Sequence, residues 1–141
     1  MMKRTAKAFW QGDLKSGSGH LSTQSGVLNE TQYSFNTRFA DGIGSNPEEL
    51  LAAAHAGCFT MAITYALSQQ GYTAGELSTN AAVTLDMAKG GITRIDLELQ
   101  ASAIAGISAE EFEKQAFLAK ENCVISKALA GIEIELTVSY Q

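Results

Sequence analysis

The chain has 141 residues, enough to bury one sizeable core and too few for a second, so a single domain spanning 1–141 is expected. A hydrophobic content of 45%, a charged content of 18% and a net charge of −5 describe an ordinary globular protein and exclude the basic footprint of a nucleic-acid binder. No apolar stretch reaches the roughly 18 residues of a bilayer span, and the opening "MMKRTAKAFWQGD" lacks the apolar run of a secretory signal, so a cytoplasmic protein without membrane partners is expected.

The first third alternates apolar and polar residues in "RTAKAFW", "GHLSTQ" and "QYSFNTRF", separated by Gly, Ser and Asn clusters, which predicts a small antiparallel sheet. "GDLKSGSGH" lacks the spacing of a phosphate-binding loop and reads as a hairpin connection. "GIGSNPEELLAAAHAGCFTMAITYALSQQGY" predicts a long helix, with Asn46 as N-cap, Pro47 at the first helical position, Glu48 and Glu49 in the first turn, and Gly71 past the end. "LSTNAAVTLDMA" and "GITRIDLELQASAI", joined through "KGG", predict a long hairpin. A second helix begins at "SAEEFEKQAFLAKEN", where Ser108 and Glu111 match a capping box, and "CVISKALAG" continues as a short helical segment ending at Gly131. "IEIELTVSY" alternates strictly and returns to the sheet. This order is that of an α+β domain, antiparallel sheets around a long buried central helix.

That helix is apolar around most of its circumference, through Leu50, Leu51, Phe59, Met61, Ile63, Leu67 and its alanines. One sheet in so short a chain leaves part of it uncovered, so a second subunit is expected to complete the burial.

Two cysteines, Cys58 and Cys123, stand 65 residues apart, too few and too widely spaced for a zinc knuckle or a secreted disulfide framework. The sequence holds no metal-ligand cluster, and neither metal nor cofactor is expected. Each cysteine is either a small buried hydrophobe or a redox-active thiol. A reactive one must be a thiolate, and Cys58, mid-helix in an apolar run, is too far from the helix N-terminus to be ionised by it. Depressing its pKa by two to three units takes roughly 3–4 kcal/mol, which a nearby cation supplies. Arginine suits the task because it stays charged when desolvated, and its planar fork holds a carboxylate with one edge while the other faces the sulfur. Of Arg4, Arg38 and Arg94, Arg38 lies just before the loop into the helix. At about 100° per residue, Glu48 lies about 80° around the helix from Cys58 and Glu49 about 180°, so Glu48 looks toward the thiol side. Glu48 is also about 15 Å away along the axis, so a bridging group must stand between them. His55 reads as a packed or hydrogen-bonded structural histidine, Tyr33 and Tyr65 as packing residues, and Leu51, Phe59 and Met61 as apolar neighbours of the thiol.

Together, "FWQGDLKSGSG", "STQSGVLN", "YSFNTRF", "GSNPEELLAAAHAGCF" and "NCVISKAL" make the chain resemble the OsmC/Ohr family, that is, osmotically inducible protein C and the organic hydroperoxide resistance proteins. "SGVLN", "FNTRF" and His55 are similar to the OsmC branch. The resemblance implies an intertwined homodimer and a thiol-dependent peroxidase that reduces organic hydroperoxides, with a dithiol such as dihydrolipoamide as reductant. It implies Cys58 as the peroxidatic thiol, Cys123 as the resolving thiol that forms a disulfide with it, Arg38 as stabiliser of the thiolate and Glu48 as the residue orienting Arg38. The competing readings are a non-catalytic redox sensor and a dimer binding a small apolar ligand.

Overall fold

The computed structural model describes residues 1–141 as two compact units, Met1–Leu50 and Leu51–Gln141. In the first, β1 (Ala6–Gln11), β2 (Ser18–Thr23) and β3 (Thr31–Tyr33) form an antiparallel sheet in that order. The loop between β1 and β2 is closed by Asp13, whose carboxylate accepts the Ser16 N–H and hydroxyl, each at 2.7 Å. Trp10 and Tyr33 meet edge to face, 5.5 Å between ring centroids, over Gly19 of the intervening strand. A Cβ at Gly19 would stand 2.6 Å from the Trp10 ring and 2.7 Å from the Tyr33 ring, so only glycine lets the two aromatics close over the backbone.

"FNTRF" is helical where strand alternation was expected: α1 spans Phe35–Phe39. Ser34 and Thr37 form a reciprocal capping box, with Thr37 N–H donating to Ser34 Oγ at 3.2 Å and Ser34 N–H donating to Thr37 Oγ1 at 2.8 Å. Phe35 and Phe39, four apart, then stack on one helix face at 4.9 Å.

Helix α2 runs Pro47–Gln69. Asn46 caps it as the sequence predicts, its side-chain oxygen accepting Glu49 N–H at 2.8 Å while its amide donates to Thr37 O at 3.0 Å. Gly71 takes the left-handed conformation just past the end. The expectation that no stretch is long and apolar enough to cross a membrane is corrected by α2, which is so by length and composition. Its alanines, each weakly apolar, carry that character along 23 residues.

In the second unit, β4 (Leu77–Asp86) and β5 (Gly91–Ala101) form the expected hairpin around a single 3₁₀ turn at Met87–Lys89, with Gly90 left-handed. From β5 the chain passes through α3 (Ala109–Asn122) and α4 (Val124–Ala128) to β6 (Glu133–Tyr140), which pairs with β5 in parallel. A helical crossover brings a strand back in the same direction, so this edge of the sheet departs from the all-antiparallel expectation. Ser108 caps α3, accepting Glu111 N–H at 3.1 Å.

The core joins Phe59, Ile63 and Leu67 of α2, four apart, to Ile95, Leu97 and Leu99 of β5, two apart, and to Phe112, Ala116 and Ala119 of α3. Within one chain α2 is buried on this face alone: Met61 and Tyr65 on another side are 76% and 65% exposed. Phe112 is fully buried and stacks on Tyr140 at 4.4 Å. Truncation to alanine, Phe112→Ala, is expected to lower unfolding stability by about 3–5 kcal/mol, read as a shift of the chemical-denaturation midpoint.

Candidate functional site

Cys58 lies mid-way along α2 and is half-buried, whereas Cys123 is 1% exposed. Cys123 occupies the joint between two helices: its N–H closes α3 on Ala119 O at 2.9 Å, and its carbonyl accepts Lys127 N–H of α4 at 3.0 Å. The crossover thus carries a sulfur 65 residues distant to 2.9 Å from Cys58 Sγ. Both are free thiols.

The pair opens on a groove of about 880 Å³ lined by Met61, Tyr65, Leu118 and Val124 together with both cysteines. Met61 is therefore an apolar neighbour of the thiols as expected, and Tyr65, expected to pack, instead lines the groove. Phe59 is fully buried in the core on another face of α2 and takes no part in it. A depression of about 840 Å³ at the end of the sheet, near Glu76, Ser78 and Gln100, contains no nucleophilic thiol.

The environments of the two thiols differ. Burial pushes the Cys58 thiol up, the Cys123 sulfur adds to that, and the Ile125 and Val124 N–H groups act against it. Burial also opposes ionisation of Cys123, but hydrogen bonds from Cys58, from the Ser126 N–H and hydroxyl and from Ile125 N–H outweigh it and hold this thiol below its ordinary value.

Behind the sulfurs, His55 is fully buried and its Nε2 lies 2.8 Å from Ser126 Oγ. This matches the reading of His55 as a hydrogen-bonded structural histidine. Ser126 was not singled out from the sequence. The spacing that marks it is local, since 55 precedes 58 by three and 126 follows 123 by three, one helical turn in each case. Burial holds the His55 pKa below its usual value.

Arg38 and Glu48 form a second pair, within the Met1–Leu50 unit. Arg38 Nε donates to Glu48 Oε1 at 2.8 Å and its terminal nitrogen reaches the same oxygen at 2.7 Å. Glu48 is 8% exposed, and its Oε2 has no partner. The guanidinium also sits 5.2 Å from the centre of the Phe39 ring. One carboxylate oxygen thus fixes one edge of the fork, and the Arg38 side chain remains 41% exposed. Arg94, the other arginine in apolar surroundings, is engaged by Asp96 and Glu133 on the sheet. No three His, Cys, Asp or Glu side chains are grouped so as to hold a metal.

The family model described as OsmC-like protein matches residues 40–137. The chain is 44% identical over 140 residues to Peroxiredoxin OsmC of Escherichia coli, covering 98% of this chain and 95% of the relative. It is 34% identical over 102 residues to an organic hydroperoxide resistance protein-like protein of Staphylococcus aureus, covering 71% and 73% of the two chains. Among solved structures, an organic hydroperoxide resistance protein from Elizabethkingia anophelis, with thiocyanate bound from the crystallisation medium, superposes with a TM-score of 0.74 at 29% identity over 99% of both chains.

The buried ring gives a pH signature. A histidine whose folded pKa is depressed binds its proton more readily in the unfolded chain, so its share of the stability is complete above the unfolded pKa of about 6.5 and is lost as pH falls through the folded value. Stability measured by denaturant titration is expected to decline from about pH 6.5 downward, and His55→Gln is expected to remove that part of the decline.

Proposed function

The chain belongs to the OsmC-like protein family, and we propose that it is a cysteine-based hydroperoxide reductase in which Cys58 is oxidised and Cys123 resolves the product. The observation that carries this reading is the pair of free sulfurs 2.9 Å apart at the floor of an apolar groove. Access divides their roles. Only Cys58 is open enough to meet a peroxide, while Cys123 is buried and poised against Cys58.

In the first step the Cys58 thiolate attacks one peroxide oxygen, the O–O bond breaks, and an alcohol (or water) leaves as sulfenic acid forms. Cys123 then displaces the sulfenic oxygen to give a disulfide, and an external dithiol restores both thiols by exchange. Apolar walls at Met61, Tyr65, Leu118 and Val124 favour organic over hydrogen peroxide, through about 25 cal/mol for each Å² of substrate surface covered.

Since burial and Cys123 both hold the proton on Cys58, the first step needs a cation. Arg38, whose guanidinium is held by the buried carboxylate of Glu48, is the residue assigned to supply that charge. The chain works as an intertwined homodimer, each chain a single OsmC-like domain over 1–141, with a second copy covering the exposed side of α2 at Met61 and Tyr65. A free-thiol pair and a dithiol reductant fit a reducing compartment, the cytoplasm.

The test is turnover of cumene hydroperoxide with excess dithiothreitol. Many equivalents per chain are expected, and stopping after one equivalent would identify a sensor and overturn the reductase. Cys58→Ser is expected to abolish turnover; Cys123→Ser is expected to permit one oxidation and accumulate sulfenic or sulfinic Cys58, detected by mass. Arg38→Ala is expected to lower kcat/KM about 10²-fold, the scale of removing one charge-stabilising donor, with Glu48→Gln intermediate.

A further inference from the structure

His55 and Ser126 are not accounted for by the scheme above. A buried N–H without an acceptor is rarer and costlier than a buried lone pair without a donor. The Nδ1 atom of His55 has no partner, so the ring hydrogen belongs on Nε2, which donates to Ser126 Oγ at 2.8 Å. The Ser126 hydroxyl then keeps its own hydrogen for another acceptor, and Cys123, whose acidity Ser126 raises, stands one turn back along the chain at the start of α4. The result is a directional hydrogen bond from α2 to α4, one turn from the helix joint that holds Cys123.

We propose that His55 and Ser126 are positioning residues for the resolving step, the ring holding the Ser126 hydroxyl on the Cys123 sulfur so that this sulfur is aimed at oxidised Cys58 and kept nucleophilic. The inference rests on the reductase reading for its place in the cycle. In that step the Cys123 thiolate supplies an electron pair to the sulfenic sulfur of Cys58. An S–S bond forms, the S–O bond breaks, and the hydroxide that leaves combines with the proton given up by the Cys123 thiol, so that water is the product. The sulfenic sulfur is reduced and the Cys123 sulfur oxidised, with no further redox partner. Speed matters because sulfenic acid left unresolved reacts with a second peroxide to give sulfinic acid.

The titratable group of α2 turned to Cys123 is Cys58, while His55 faces Ser126. On α3, Lys120 is committed to Ile134 O at 3.1 Å and to exposed Glu121, and on α4 Lys127 faces solvent, as do Glu133 and Glu135 of β6. The backbone donors Ile125 and Ser126 remain when the serine side chain is removed, so its loss slows the step without abolishing it.

The step can be isolated from peroxide chemistry. Cys58 of the full-length reduced protein is loaded as a mixed disulfide with thionitrobenzoate, and release of the coloured thiol reports attack by Cys123. Ser126→Ala is expected to slow release at least about tenfold, the scale of a lost charge-assisted hydrogen bond, and to move its pH profile upward. Ser126→Thr, which keeps the hydroxyl, is expected to restore both, and His55→Gln, which keeps an N–H donor, to lie between. Combining Ser126→Ala with His55→Met is expected to add little, because the two act as one unit. Under cumene hydroperoxide Ser126→Ala is expected to raise the ratio of sulfinic acid to disulfide. Unchanged release and an unchanged pH profile in folded Ser126→Ala, or full additivity in the double variant, would overturn the proposal. Slowed release in a protein that consumes no peroxide would support it while removing the reductase reading.

Discussion

The contact on which the site depends is that between two sulfurs delivered from opposite ends of the second unit. Neither helix alone does this. α2 presents Cys58 from its middle, and the parallel return from β5 to β6 places the α3–α4 joint, with Cys123, against it. Because Cys123 is at a joint, the free N–H groups at the start of α4 lie beside both sulfurs, with Ile125 and Ser126 acting on Cys123 and Val124 and Ile125 on Cys58. The two thiols thus differ both in access, Cys58 being half-buried and Cys123 fully buried, and in their tendency to ionise.

The Arg38–Glu48 pair is built separately, from short-range elements. Ser34 and Thr37 wind α1 and Asn46 starts α2, and the two side chains of the ion pair come from those two helices. The buried Glu48 is held by Arg38 on one oxygen only, so its second oxygen is left without a partner. A carboxylate in that condition strongly retains the cation it has, since loss of Arg38 would leave a buried charge uncompensated.

Much of this was legible in the sequence where the signal was local. Asn46, Pro47 and Gly71 bound α2, Ser108 begins α3, and the alternation in β4, β5 and β6 marks strands. Alternation does not encode direction, so the parallel pairing of β6 was not readable. Phe35 and Phe39 fit either a strand or one helix face, and the Ser34–Thr37 capping box decides between them. The Arg38–Glu48 pairing was anticipated by helical phase as well as by family resemblance, and the Cys58–Cys123 pairing by resemblance alone. Ser126 stands one turn from Cys123, a local spacing, but its pairing with His55, 71 residues away, is one that no local pattern spans.

The 65-residue separation of the two sulfurs also has a thermodynamic side. Joining them closes a large loop in the denatured chain and removes about 4 kcal/mol of its configurational freedom. In the proposed cycle the chain therefore alternates between a cross-linked polymer and an open one. On this argument the oxidised molecule would melt at a higher temperature than the reduced one, and resistance to heat would report how much of the protein is waiting for its reductant.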